Sequence, residues 1–209
     1  MVVLGLTGSI AMGKSTTATM FRRLGIPVFD ADGSVHRLLA RGGAGVAPAA
    51  AAFPGTENGS AIDHDAVAAR VFGDPLALRR LESILHPLVR HEQTTFLEIH
   101  ARRQASLVVL DIPLLFETAG DRTCDRVAVV SAPAFLQLQR ILARPGMTRD
   151  RATAVLSRQM PDEEKRRRAD FVIPSGLGRA FTFRAIKAIV QQVREASATH
   201  WPPRRRRKT

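Results

Sequence analysis

With 209 residues, 45% of them hydrophobic, the chain is long enough for one well-cored domain with small insertions, and the composition excludes a disordered or fibrous protein. Its single cysteine, Cys124, permits no internal disulfide and no apolar run is long enough to span a bilayer, so a cytoplasmic protein with no membrane partner is predicted. The formal charge of +12 is concentrated in two places, since Arg204 to Lys208 and the stretch from Arg140 to Arg168 carry +5 each.

In chain order, Val2-Val3-Leu4-Gly5-Leu6 is a short apolar run that predicts a buried parallel strand, and Ser15 to Leu24 predicts a helix closed by Gly25. Between them, Gly8-Ser9-Ile10-Ala11-Met12-Gly13-Lys14-Ser15 fits G-x-x-x-x-G-K-[ST], a loop whose backbone N–H groups cradle phosphates. Gly8 and Gly13 allow the tight turn, Lys14 supplies a charge, Ser15 a hydroxyl for Mg²⁺, and the helix its positive dipole end. Gly25 to Phe29 predicts a second strand delivering Asp30-Ala31-Asp32 at its carboxyl end, where open α/β sheets bind ligands. Asp32 reads equally as a base or orienter for an acceptor hydroxyl and as the N-cap of a helix from Gly33 to Leu39, while His36 reads as a surface residue.

Arg41 to Ala52 has no clear period and reads as a loop or weak helix. Asp63 to Phe72 and Pro75 to Leu85 carry apolar residues at helical spacing, with Asp74-Pro75 as a start signal. His86-Pro87 then reads as a junction opening a further helix to about Gln104. Leu107 to Asp111 is an apolar run ending in an acid, the form of a Walker-B strand, which puts Asp111 within reach of a metal. Ile112 to Glu117 leaves the same edge irregularly, and its apolar residues predict an acceptor pocket wall. Val127 to Val130 predicts a fourth strand, Pro133 to Arg144 and Thr148 to Arg158 two helices, Phe171 to Ile173 a fifth strand, and Arg179 to Ala196 a closing helix. Arg140 and Arg144 are spaced to share one helix face, either neutralising a phosphoryl group or forming a solvated basic face. The tail after Trp201-Pro202-Pro203 reads as a solvated, disordered end, with nucleic-acid binding as the alternative.

This order of elements predicts a doubly wound α/β fold of the three-layer P-loop NTPase kind. From Val3 to about Glu195 the chain also resembles the dephospho-CoA kinases, P-loop kinases that phosphorylate the ribose 3′-hydroxyl of dephospho-CoA with ATP. The resemblance rests on Leu6-Thr7-Gly8 through Lys14-Ser15-Thr16, Asp30-Ala31-Asp32, Leu81-Glu82 with His86-Pro87, Asp111-Ile112-Pro113-Leu114-Leu115-Phe116-Glu117, Arg140 with Arg144, and Lys165 with Ala169-Asp170. It implies a five-stranded parallel core (1–32, 88–136 and 166–197), a helical acceptor-binding insertion (33–87), a helical lid (137–165) and a separate tail (198–209). It further implies ATP with Mg²⁺ as cofactor, dephospho-CoA as the small-molecule partner, and a monomer or weak homo-oligomer.

By that resemblance, Lys14 binds the β- and γ-phosphates, Asp32 is the base or orienter at the ribose hydroxyl, and Arg140 meets the transferring phosphoryl group from the lid. The nucleotide contacts are Gly8, Ala11, Met12, Gly13, Lys14, Ser15, Thr16, Arg144 and Ser175, and the metal contacts Ser15 and Asp111. His86, Leu115, Phe116 and Glu117 join Asp32 on the acceptor side. Three places depart from the family pattern: Ala11-Met12 replaces a smaller pair, Asp63-His64 replaces Asp-Arg, and Pro174-Ser175 stands where an Asn is usual. A nucleoside or nucleotide kinase with a smaller acceptor is the competing enzyme, and a nucleic-acid-binding P-loop protein the competitor outside that class.

Overall fold

The computed structural model describes residues 1–157, 159–194 and 201, so the expected helix ends at Arg158 and Ala196, and the basic tail from Pro202, lie outside it. The chain forms two compact units, residues 1–29 with 99–209, and Asp30–Glu98.

The first unit is built on a five-stranded parallel sheet in the order β2-β5-β1-β6-β7, from β1 (Val2–Thr7), β2 (Val28–Asp30), β5 (Leu107–Asp111), β6 (Arg126–Ser131) and β7 (Phe171–Pro174). β1 is buried at every residue and lies between β5 and β6, with Leu6 opposite Asp111 and Thr7 opposite Val129. Such a run, apolar at both parities, belongs to a strand covered on both faces. One face carries Val2, Leu4 and Leu6 into a core with Ala18, Met20 and Phe21 of α1 (Lys14–Arg23) and Ile186, Ile189 and Val193 of α9 (Arg179–Arg194). The other parity, Val3, Val108 and Val129, is at most 1% exposed. A carboxylate precedes each of two strands and accepts a neighbouring strand's N–H, the buried Asp125 from Val3 at 2.7 Å and the exposed Asp170 from Val127 at 2.8 Å. α6 (Ala134–Leu142), α7 (Arg149–Leu156) and α8 (Asp162–Arg168) follow β6. In α8 the acids Asp162, Glu163 and Glu164 occupy the first turn and Lys165 to Arg168 the last, the arrangement that the helix dipole favours.

The second unit packs α2 (Ala31–Leu39), α3 (Val46–Ala52), α4 (His64–Val71) and most of α5 (Pro75–Arg102) around Leu39, Ala49, Ile62, Val67 and Leu85. Asp63 and Asp74 cap α4 and α5 through their side chains. The sequence reading missed the short hairpin of β3 (Glu57–Asn58) and β4 (Ala61–Ile62), although Asn58-Gly59 is a turn signal and Gly59 adopts φ +63°. His86-Pro87 is not a junction. α5 runs unbroken for 28 residues with Pro87 inside it, because a proline removes one N–H bond and the apolar spacing continues on either side. The helical unit accordingly reaches Glu98 rather than ending at Pro87. Among the described residues no helix is long and apolar enough to cross a membrane.

Candidate active site

The loop from Gly8 to Gly13 joins β1 to α1, and its two fixed glycines serve different ends. A Cβ on Gly8 would meet the Val130 carbonyl oxygen at 2.7 Å, so the backbone passes β6 too closely for a side chain. Gly13 takes φ +92° as the N-cap of α1. No side chain caps this helix, and Thr17 is the residue whose N–H bonds back to Gly13, at 3.1 Å. The first amides of α1 therefore form an anion site backed by the dipole.

The pair that replaces smaller residues behaves as structure. Ala11 is left-handed at φ +61°, a conformation strained for a residue with a Cβ. Met12 turns inward at 1% exposure, and its Sδ accepts the Ala132 N–H at 3.1 Å. Side chains from elsewhere in the same unit hold the loop by its backbone. Gln159 Oε1 accepts the Ile10 N–H at 2.9 Å, and Gln137 Nε2 donates to the Ile10 carbonyl at 3.0 Å. Arg140 donates to the Ala11 carbonyl at 3.3 Å, to Ser175 Oγ at 3.2 Å and to the Ser175 carbonyl at 2.9 Å, while Ser175 Oγ donates to the Met12 carbonyl. Neither glutamine was singled out in the sequence, where nothing local marks them.

Lys14 Nζ lies 2.6 Å from Oδ1 of Asp111, which is 3% exposed at the end of β5. Ser15 and Thr16 are exposed on the first turn of α1. Thr16 joins Gly13, Arg140, Ser175, Gly178 and Thr182 in lining a cavity of about 560 Å³. The Ser15 hydroxyl and the Asp111 carboxylate are hard oxygen donors, which suit Mg²⁺, an ion that takes one or two protein ligands and completes its shell with water and phosphate. Among the described residues no group of three or more His, Cys, Asp or Glu could hold an ion alone.

Other expected positions fall elsewhere. Arg144 is exposed in the turn beyond α6, which ends at Leu142, so it does not share a helix face with Arg140. Leu115 is fully buried and Phe116 is 5% exposed beneath the Arg168 guanidinium, 4.5 Å from the ring centroid. Both turn into the core rather than forming a pocket wall, because the apolar run after β5 packs inward and leaves Leu114 exposed. Glu117 accepts the Met160 N–H at 3.0 Å and lies 2.8 Å from the ammonium of Lys165, which is fully buried. The Glu117–Lys165 contact is ionic rather than an aligned hydrogen bond. Burial alone would raise the Glu117 carboxyl, but Lys165 and the Met160 amide outweigh it and hold the group below its ordinary value.

In the helical unit, the N-cap of α2 is Asp30, whose carboxylate accepts the Gly33 N–H at 3.0 Å. Asp32 lies exposed in the first turn instead, which removes the capping role from it. His86 is exposed on α5, and the rings of His36 and His64 meet at a tilt of 39° with centroids 4.4 Å apart.

Comparison with known proteins adds an independent line. The family model described as dephospho-CoA kinase matches residues 2–177. A dephospho-CoA kinase of Paramagnetospirillum magneticum is 64% identical over 166 residues, covering 79% of this chain and 78% of the relative. One from Mesorhizobium japonicum is 52% identical over 194 residues, covering 93% and 98%. Among solved structures, a protein of Thermus thermophilus superposes with a TM-score of 0.79 at 36% identity, over 91% of this chain and 97% of that one.

Proposed function

Because this chain belongs to the dephospho-CoA kinase family, we infer that it is a kinase that phosphorylates dephospho-CoA, the last step of coenzyme A synthesis, taking the phosphoryl group from ATP and placing it on the ribose 3′-hydroxyl. The observation that carries this reading is the uncapped start of α1 with Lys14 and Asp111 set against it, in a chain that matches the family across residues 2–177.

Phosphoryl transfer asks a protein mainly for positioning and for stabilisation of charge on the equatorial oxygens. The amides of Gly13 to Thr16 hold the phosphates, and Lys14 exchanges the Asp111 carboxylate for their oxygens. Ser15 and Asp111 would hold Mg²⁺, which would neutralise phosphate charge. Asp32, exposed and not engaged as a cap, accepts the proton of the acceptor hydroxyl or orients it. Arg140 faces the phosphoryl group from the segment 137–165, our lid, and Arg144 reaches it from the turn after α6. The cavity at Gly13, Thr16 and Ser175 takes the nucleotide, with Ser175 in place of the usual Asn on the base side. We assign His86 and Glu117 to the acceptor, His86 as an exposed residue of α5, whereas the buried Leu115 and Phe116 make no contact with it. Without a disulfide or a membrane-crossing helix among the described residues, we place the protein in the cytoplasm, as a monomer or weak homo-oligomer that does not need nucleic acid.

The test is product identity: mass spectrometry and phosphorus NMR of dephospho-CoA incubated with Mg-ATP and the protein. A product carrying one added phosphate as a 3′-monoester is expected, and phosphate on any other hydroxyl overturns the assignment.

A further inference from the structure

We propose that Gln137 and Gln159 are positioning residues for phosphoryl transfer, a two-sided clamp on Ile10 that aims the Ala11 N–H at the nucleotide phosphates. The inference rests on the kinase reading above and adds two residues that lie outside the P-loop pattern. Two residues of the segment 137–165, one at its start and one just before α8, reach back to one residue of the loop, across sequence separations of 127 and 149.

The geometry follows from the planar trans peptide, in which the carbonyl and the next N–H point in opposite directions. Gln137 Nε2 draws the Ile10 carbonyl to the outer side of the loop at 3.0 Å, so the N–H of Ala11, in the same peptide unit, must face the inner side. Gln159 fixes the preceding peptide unit by accepting the Ile10 N–H at 2.9 Å, which stops the Ile10 unit from rotating about its flanking bonds. The same device recurs two residues on, where Ser175 Oγ holds the Met12 carbonyl outward and turns the Gly13 N–H inward. The clamp has a reason to exist in this chain. Ala11 sits at φ +61°, where glycine would be at ease, and an alanine there relaxes by rotating the very peptide that Gln137 holds. Gln137 is 8% exposed, so its bond to Ile10 is shielded from competing water.

The two bonds have opposite polarity, and this supplies the test. An ionised glutamate accepts but does not donate, so Gln159→Glu keeps its bond while Gln137→Glu loses its own. Methionine, similar in length, has no donor and only a weakly accepting sulfur, so Gln137→Met loses its bond and Gln159→Met keeps at most a weakened one, and the glutamate pair shares one added charge, which controls for repulsion of ATP. kcat/KM for ATP, KM for dephospho-CoA, ADP affinity by calorimetry and thermal midpoints are measured for Gln137→Glu, Gln137→Met, Gln159→Glu and Gln159→Met.

A lost shielded hydrogen bond should lower kcat/KM for ATP and ADP affinity by about tenfold in Gln137→Glu, Gln137→Met and Gln159→Met, with KM for dephospho-CoA little changed. Gln159→Glu should recover most of what Gln159→Met loses. Equal losses in the two glutamate variants with intact methionine variants would mean charge alone acts, and wild-type values throughout would mean that the clamp is idle; either result overturns the inference. Should a Gln137 variant fail to fold, the comparison of Gln159→Glu with Gln159→Met decides it. ADP affinity is read without an acceptor, so failure of the clamp is distinguishable from failure of the dephospho-CoA assignment.

Discussion

Lys14 and Asp111 form a partly buried ion pair that must open before the ammonium can meet a phosphate. Lys14→Met should therefore reduce turnover by roughly 100- to 1000-fold, the scale of removing one preorganised charge from a transition state, and full activity would remove the loop from the chemistry. Asp32→Asn should lower kcat by at least about 100-fold with little change in ATP affinity, since a base acts on the acceptor; a loss confined to ATP affinity would contradict the assignment. Arg140 makes a planar fork of contacts to Ala11 and Ser175 that a lysine cannot copy, so Arg140→Lys should cost about tenfold in kcat/KM for ATP. At this scale the loop, Lys14 and the acid that ends β5 were legible because each is a local pattern of residue types. Of the two readings open for Asp32, the N-cap belongs to Asp30 instead, since both acids fit the rule and only the strand's last residue decides between them.

Between elements, the Glu117–Lys165 pair ties the turn after β5 to α8 across a fully buried ammonium. Glu117→Ala strands that charge and should cost about 3 kcal/mol in a urea titration, while a Glu117→Leu, Lys165→Met double variant should lose much less. The sign with pH follows from the lowered Glu117 carboxyl: its contribution is complete above the ordinary carboxylate range, about pH 4.3, and is lost as pH falls through the depressed folded value. Acid unfolding of the double variant should therefore show a shallower limb. The apolar run at Leu115-Phe116 was read as a pocket wall because a hydrophobic stretch leaving a sheet edge looks the same whether it lines a cavity or closes the core. Pro87 misled in a similar way, since a proline marks a helix start or interrupts one, and only the continuous spacing across it settles which. Pro87→Ala should raise the thermal midpoint, by the equivalent of about 1–3 kcal/mol, because it restores the missing N–H bond; a lower midpoint would mean that α5 requires the proline.

For the whole molecule, the parallel sheet and its covering helices were readable from runs of buried strand residues alternating with helical spacing, so the fold class followed from periodicity. What periodicity leaves out is contact between distant segments, and the glutamines that hold Ile10 are of that kind. Cys124 gives a probe of the global fold: burial pushes its thiol up to about 12, so it should resist thiol reagents at pH 8 until the first unit unfolds, and rapid labelling of the native protein would contradict that burial. The central claim is the acceptor, and the most direct test is ADP release from Mg-ATP against dephospho-CoA, adenosine, AMP, CMP and TMP, with Lys14→Met as control. Turnover with dephospho-CoA far above every other acceptor, and lost in the variant, is the result predicted here, whereas preference for a nucleoside or nucleoside monophosphate would keep the kinase fold and contradict the assigned reaction.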